Sequence, residues 1–431
     1  MKRHFKKIMC CILALSMVLG LSGCTTYNNF KAAFFAEEQV AKEQTIKIGV
    51  YESITGQNSE QGKEEVRGIE LAHELHPAVL GKKVELIYAD NQSNMYVAET
   101  AIQELLSQKP SVVLGSCGET VTLVASDFIK AASTPAITIS ATNPLITANN
   151  EFYFSATFTE TRQGDALAEF AYTDNMKETV ATVKLANDDA ATETIKRFTN
   201  KMKKLTDNNK CVVGSYTVAA DTVDYSETIE AIRSSGAKAV FLAMQPSTAE
   251  AFLQQAVDQN LTHILWLGGR SWTDEKFLQF VKSQPKLEVG YASDFGQEVT
   301  NTMSAKFLEA YQAKYGVDAA PSEAAAVAFD AYLLALQALE RAQEVVMETT
   351  VEDLAEKYET EAALKAATEE LLAAQESGIP SGRHTKMALQ AIKDFEGASG
   401  TISFSGKNEA TKTITVHHID EGAEVGHYHV G

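Results

Sequence analysis

Two short segments carry the residue types best suited to gripping a small anion. Ser116-Cys117-Gly118-Glu119-Thr120 follows the apolar run Ser111–Gly115 (SVVLG) and precedes a helical pattern over Val121–Ala132. A loop in that position offers backbone N–H groups at a helix N-terminus, where the helix dipole adds partial positive charge. Gly118 lets the backbone approach a ligand closely. Ser140-Ala141-Thr142 closes the next apolar run, Ala136–Ser140 (AITIS), and adds two hydroxyl donors. In a parallel sheet the two loops are neighbours, and ligands of open α/β sheets sit beyond the carboxyl ends of the strands. Ser140, Thr142 and Thr120 are equally the residue types that cap helices and turns, so spacing alone leaves both roles open.

No other segment has the spacing of a catalytic centre. Neither a phosphate-binding glycine loop nor a dinucleotide fingerprint is present. Ser235 and Lys238 make an S-x-x-K spacing, but in a helix-to-strand turn and without the companion motifs of acyl enzymes. Asp90, Asp188 and Asp189 read as caps at strand ends and helix starts. Past residue 24 the cysteines are Cys117 and Cys211, far apart in sequence, so no disulfide is expected. His417, His418, His427 and His429 cluster near the C-terminus. His427 and His429 would share a face of a strand and could take a transition metal, but a solvated tail is the expectation. The reading is therefore a protein that is not an enzyme, with no cofactor and no metal site.

The elements that must position the two loops come from apolar periodicity. Ile46–Tyr51 (IKIGVY), Val84–Ala89, Ser111–Gly115 and Ala136–Ser140 are strands. Amphipathic helices lie between them, the first over Gly62–Leu75 with Val66, Ile69, Ala72 and Leu75 on one face. The alternation restarts with a helix over Gln163–Thr173 and continues through strands Thr179–Leu185, Cys211–Val218, Lys238–Met244 (KAVFLAM) and Ile264–Leu267. Near-continuous apolar strands separated by helices predict parallel sheets covered on both faces. Helices are expected over Asn301–Tyr315, Ser322–Arg341 and Val351–Glu376. The chain should end in a hairpin of Gly400–Phe404 and Lys412–Ile419 turning at Ser405–Ala410.

The N-terminus reads as a secretion signal. Lys2, Arg3, Lys6 and Lys7 precede the apolar stretch Ile8–Leu21, which has the length of a signal-peptide core and is short for a membrane span. Leu21-Ser22-Gly23-Cys24 resembles the bacterial lipobox, which implies cleavage before Cys24 and lipidation of its thiol. Two or three acyl chains there would anchor the chain stably. Residues 1–23 are thus expected as signal peptide and 24–44 as a lipid-anchored tether, with the folded part starting near Thr45. The net charge of −19 becomes −23 once the four basic residues of the signal leave. That balance argues against nucleic acid and against a direct grip on anionic lipid.

Four segments in order, IKIGVYESITGQNSEQGKEEVRGIELA, SVVLGSCGETVTLVASDFIKAASTPAITISATNP, SEAAAVAFDAYLLALQAL and GASGTISFSGKNEATKT, resemble the type 1 periplasmic binding proteins, specifically the branched-chain amino-acid group. The resemblance spans nearly all of the chain after the tether. It implies two Rossmann-like α/β lobes with parallel sheets joined by three crossover segments, near Ser155–Glu160, Ala292–Gly296 and Gly397–Thr401. The corresponding division is 45–157 and 294–398 for lobe 1, the latter including the long helix 351–376, and 158–293 and 399–431 for lobe 2.

The resemblance also implies a role: an extracytoplasmic, lipid-anchored monomer on the outer face of a bacterial cytoplasmic membrane. It would bind an amino acid or related small carboxylate between the lobes and pass it to the permease of an ABC importer. Ser116, Cys117, Gly118, Glu119, Thr120, Ser140, Ala141 and Thr142 would hold the carboxylate. Gln61, Gln245 with Pro246, and the segment Gly268–Trp272 would line the pocket, with Phe158 and Arg162 near the first crossing. One departure stands out. Many relatives carry an acid where this chain has Arg270, and that acid accepts the ligand's ammonium. Arg270 would instead attract a second anion or face solvent. Glu119 would pair with it or point to water. A ligand sensor for a membrane receptor, or a structural surface lipoprotein with a degenerate cleft, are the alternatives.

Overall fold

The computed structural model describes residues 45–296, 301–404 and 406–430. The signal peptide, Cys24 and the tether fall outside them. Six strands form the first sheet: β1 (Thr45–Glu52), β2 (Ala78–Val79), β3 (Lys82–Asp90), β4 (Val112–Leu114), β5 (Ala136–Thr138) and β6 (Tyr153–Ser155), in the order β2-β3-β1-β4-β5-β6. All neighbours run parallel except β2 and β3. β1 is apolar on both faces because both are covered. Ile46, Ile48 and Val50 join the core beneath helices Ser59–Leu75 and Glu323–Glu348. Tyr51 joins the core beneath helices Met95–Ser107 and Glu119–Ala132. The first two helices touch at Gly68, where a Cβ would lie 2.1 Å from the Ala325 carbonyl oxygen, so glycine sets their separation.

The second sheet repeats the plan with β7 (Val180–Leu185), β8 (Val212–Val218), β9 (Ala239–Ala243), β10 (Leu265–Gly268) and β11 (Glu288–Ser293), all parallel. After helix Gly382–Ala391 comes a small antiparallel sheet of β12 (Phe395–Gly397), β13 (Gly400–Ser403) and β14 (Thr411–Lys412). β15 (Ile414–Asp420) and β16 (Ala423–Val430) then extend the second sheet antiparallel beyond β11. The result is two α/β lobes with mostly parallel sheets.

Three expectations need correction. The helix expected over 351–376 is two helices, Val351–Lys357 and Glu361–Ser377, each started by its own threonine cap, Thr350 and Thr360. Of the second, Leu371 and Ala374 are buried, and they pack on Val346 at the end of the long helix. The expected terminal hairpin is split: β13 pairs with β12 and β14, whereas β15 pairs with β11 and β16. Because Ile402, Phe404 and Ala410 sit in the first lobe's core, the third passage between sheets falls at Lys412–Ile414 rather than at 397–401. The histidines expected on a solvated tail lie on β15 and β16, with His417 and His418 buried.

The chain passes between the sheets after β6, after β11 and after β14, and one buried polar chain ties these passages together. Thr157 donates to Asp294 Oδ2. Lys412 Nζ lies 2.9 Å from Asp294 Oδ1 and donates to Ser399 Oγ at 2.7 Å. Ser399 Oγ in turn donates to Asp330 on the long helix at 2.5 Å. Burial pushes the Asp330 carboxyl up to about 6, against the opposing pull of Lys412 and Ser399.

Candidate functional site

The first sheet's order reverses direction between β3-β1 and β4-β5, so a crevice opens beyond the carboxyl ends of β1 and β4. Glu52 ends β1 and is fully buried there. One of its oxygens, Oε2, accepts from the Cys117 backbone N–H at 3.2 Å and from Ser116 Oγ at 3.3 Å. Ser116 is itself oriented by Asn91 Nδ2 at 2.9 Å. Glu65, nearly two turns into helix Ser59–Leu75, is buried beside Glu52. Glu52 and Ser140 approach it closely enough for a proton held by the carboxyl pair to be shared; with both carboxyls ionised, Glu52 Oε1, both Glu65 oxygens and Ser140 Oγ are left without a full complement of hydrogen bonds. Burial pushes both carboxyls up, Glu52 well above its usual range with Glu65's charge adding to the effect, and Glu65 to about 7. Burial, with Glu65 and Glu52 nearby, also pushes the Cys117 thiol up, which keeps it protonated and a poor nucleophile.

The second loop is occupied as well. Glu119 opens helix Glu119–Ala132 and turns its carboxylate onto the next loop. It accepts from Thr142 N at 2.7 Å, Thr142 Oγ1 at 3.2 Å and Asn143 N at 3.0 Å. Two side-chain carboxyl groups of the protein, those of Glu52 and Glu119, therefore fill donors that the sequence offered to a ligand's carboxylate. Glu119 neither pairs with Arg270 nor points to water.

Arg270 enters from the second lobe, after β10 and the Gly268-Gly269 turn, with its side chain 12% exposed. Its Nε pairs with Glu323, at the start of the long helix, and lies 3.1 Å from Asp294 Oδ2. Its Nη1 donates to the Ser140 carbonyl at 2.9 Å. Glu323 also accepts from Ser293 Oγ at 2.5 Å and Asp294 N at 3.1 Å. Burial works against the guanidinium's charge, but Glu323 and Asp294 outweigh it and raise its pKa above the ordinary value. Asp294 is held below its usual range because Lys412 and Arg270 overcome its burial. Arg270 thus spans from the second lobe to the Ser140 loop of the first.

The structure brings together Ser116, Cys117, Ser140 and Arg270 and adds Glu52, Glu65, Asp294 and Glu323. Gln61, Gln245 and Thr120 are exposed, Gln61 one turn before Glu65 on the same helix. Phe158 is buried in the second lobe's core, and Trp272 is buried with Nε1 donating to the Met244 carbonyl at 2.9 Å. Arg162 lines a surface groove with Asp165 and Glu169. Glu65 had a readable signal: it shares a helix face with Ile69 and Ala72, at i+4 and i+7. Glu52 had a weaker one, an acid closing a mostly apolar strand.

Two α/β lobes, linked by three passages and facing each other across buried charges, define a two-lobe binding protein. A family model described as "Periplasmic binding protein" matches residues 45–423, and the chain belongs to that family. Among solved structures, the leucine-binding protein LivK of Thermotoga maritima is 22% identical, with 90% of this chain and 98% of that chain covered at a TM-score of 0.66. The branched-chain amino-acid transporter binding protein LivJ of Streptococcus pneumoniae, in complex with isoleucine, is 23% identical over 90% and 99%, with a TM-score of 0.66. An ABC-transporter solute-binding protein of Rhodopseudomonas palustris, in complex with 3,4-dihydroxybenzoic acid, is 18% identical over 89% and 97%, with a TM-score of 0.65. Comparison with curated proteins found no match. Among the described residues no helix is long and apolar enough to cross a membrane.

Proposed function

We propose that this chain is the extracytoplasmic receptor of an ABC importer, anchored through a lipid on Cys24, which binds one small solute between its lobes without chemical change. The observation that carries the reading is the set of buried atoms with unmet hydrogen-bonding capacity, Glu52 Oε1, both Glu65 oxygens and Ser140 Oγ, beside the interlobe Arg270. Leaving such groups unpaired costs free energy that a bound solute would recover. Three of the four are carboxyl oxygens; once Glu65 loses its proton, above about pH 7, they suit a solute that presents N–H donors or a cationic nitrogen. An amino acid or other small carboxylate remains a ligand of this site only if its anionic end displaces Glu119 from Thr142 and Asn143, or Glu52 from Cys117. Thermal unfolding against a panel of amines, amino acids and organic acids tests this. A solute at a hundred times its Kd should add about 2.7 kcal/mol of stability. Amine-bearing solutes are expected to give the upshift, and a panel without any upshift removes the receptor reading.

A second reading has its own observation. Glu119 already fills the anion-binding donors and Arg270 already joins the lobes, as in a structural lipoprotein with a self-filled cleft. Identical solution scattering with and without every solute of the panel would favour it. The anchor is tested separately: Cys24→Ser should release the protein from the membrane fraction.

A further inference from the structure

The C-terminal histidines form a second constellation that the cleft does not use. β15 and β16 pair antiparallel with His417 opposite His427. The register then shifts: His418 faces Gly426, but Ile419 faces Glu424. Val425 is the extra residue, and a bulge of this kind turns the next side chain onto the opposite face. Glu424, three residues before His427, would otherwise point away from it. The bulge instead brings Glu424 to the face that carries His417 and His427.

The three side chains converge. His417 Nδ1 lies 2.6 Å from Glu424 Oε1, and His427 Nε2 lies 2.9 Å from the same oxygen. The histidine rings meet edge to face at 4.6 Å between centroids. One ligand atom from each residue falls within 4.8 Å of the others. His417 is also held from behind. Its Nε2 lies 3.2 Å from the Phe295 carbonyl, which can only accept, so Nε2 donates there, and Nδ1, which faces Glu424 Oε1, is the nitrogen that would give up its proton to a metal ion. Tyr291 stacks on the same ring at 4.8 Å and 5°. A backbone carbonyl that fixes the far nitrogen of an imidazole is the outer-shell arrangement of metal-binding histidines.

We propose that His417, His427 and Glu424 bind one divalent transition-metal ion of the zinc class. Two imidazoles and one carboxylate suit Zn²⁺, Co²⁺, Ni²⁺ or Cu²⁺, whereas Mg²⁺ and Ca²⁺ demand oxygen ligands throughout. Three protein ligands leave a fourth position for water. The ion would clamp β16, the edge strand, onto β15 and, through His417, onto Phe295 beside the second passage between the lobes. The site shares no residue with the cluster around Glu65 and Arg270, so it stands or falls independently of the solute reading.

The test is calorimetric titration of metal-free, full-length mature protein with ZnCl2, alongside visible absorption on Co²⁺ addition. The expected result is one ion per chain, with cobalt bands of a low-coordinate N/O site. His427→Ala and Glu424→Gln should each weaken Zn²⁺ binding by more than about tenfold, and His263→Ala, an exposed histidine elsewhere, should not. Far-ultraviolet circular dichroism checks that each variant is folded, and Glu424→Gln, on the exposed hairpin, serves if His427→Ala is not. No saturable Zn²⁺ binding, or binding that survives both cluster substitutions, overturns the proposal.

Discussion

Glu65 is a carboxyl pushed to about 7 mainly by burial. The folded chain therefore holds its proton more tightly than the unfolded chain does. The stabilisation is full below about pH 4.5, the unfolded value, and is lost as pH rises to about 7. Glu65→Gln should remove that loss, so its melting temperature should exceed wild type at pH 8 and approach it at pH 4.5. The same proton competes with a cationic solute, whose affinity should rise between pH 6 and pH 8 in calorimetric titrations. Arg270 behaves oppositely under substitution. Arg270→Met leaves Glu323 without its cation and Asp294 with Lys412 alone, and breaking a buried pair costs about 3–5 kcal/mol. Chemical denaturation should show that loss, and adding Glu323→Gln should recover part of it. These partners lie far from Arg270 in sequence, so no local pattern announced them. The departure from an acid at position 270 was legible, but its meaning needed the fold.

At the scale of elements, the strands were legible because IKIGVYE and KAVFLAM are nearly continuous apolar runs, as a sheet covered on both faces requires. The helices followed from their periodicity. The break at Tyr358–Thr360 did not, because an Ala-, Glu- and Leu-rich stretch keeps high helix propensity on both sides of it. The end of the chain failed for a different reason: β14 and β15 are adjacent in sequence yet belong to different sheets, and alternation cannot assign a strand to a partner. The contact at Gly68 gives an element-scale prediction. Gly68→Ala would place a methyl against the Ala325 carbonyl and force the helices apart. A loss of about 1–3 kcal/mol is expected, the usual cost of overpacking, read as a lower melting temperature with no change in solute selectivity.

For the molecule as a whole, the Thr157–Asp294–Lys412–Ser399–Asp330 chain couples the three passages, so a change there acts on how the lobes sit rather than on one lobe. Lys412→Met leaves Asp294 and Asp330 without their shared cation. Asp294 keeps Arg270, whereas Asp330, already raised to about 6 with Lys412 present and higher without it, takes up a proton at low pH and so sheds the stranded charge. The substitution should therefore be more damaging at pH 8 than at pH 5, measured as the difference in melting temperature from wild type. Of the cleft, the Ser116 and Ser140 loops were readable as neighbours at strand ends. That the chain would supply its own carboxylates to them was not, since Glu119 reads in sequence like any acid in a helix's first turn.

The two cysteines of the described residues make the protein its own stopwatch. Cys117 lies at the cleft and Cys211 inside the second lobe, both with free, shielded thiols. Under a fast thiol reagent, Cys117 should modify at the rate at which the cleft loop opens enough to uncover and ionise its thiol, and Cys211 at the slower rate of global unfolding. A saturating solute should lengthen the first lag and leave the second governed by the stability it adds. The two lag times would separate closure from stabilisation in one unlabelled sample.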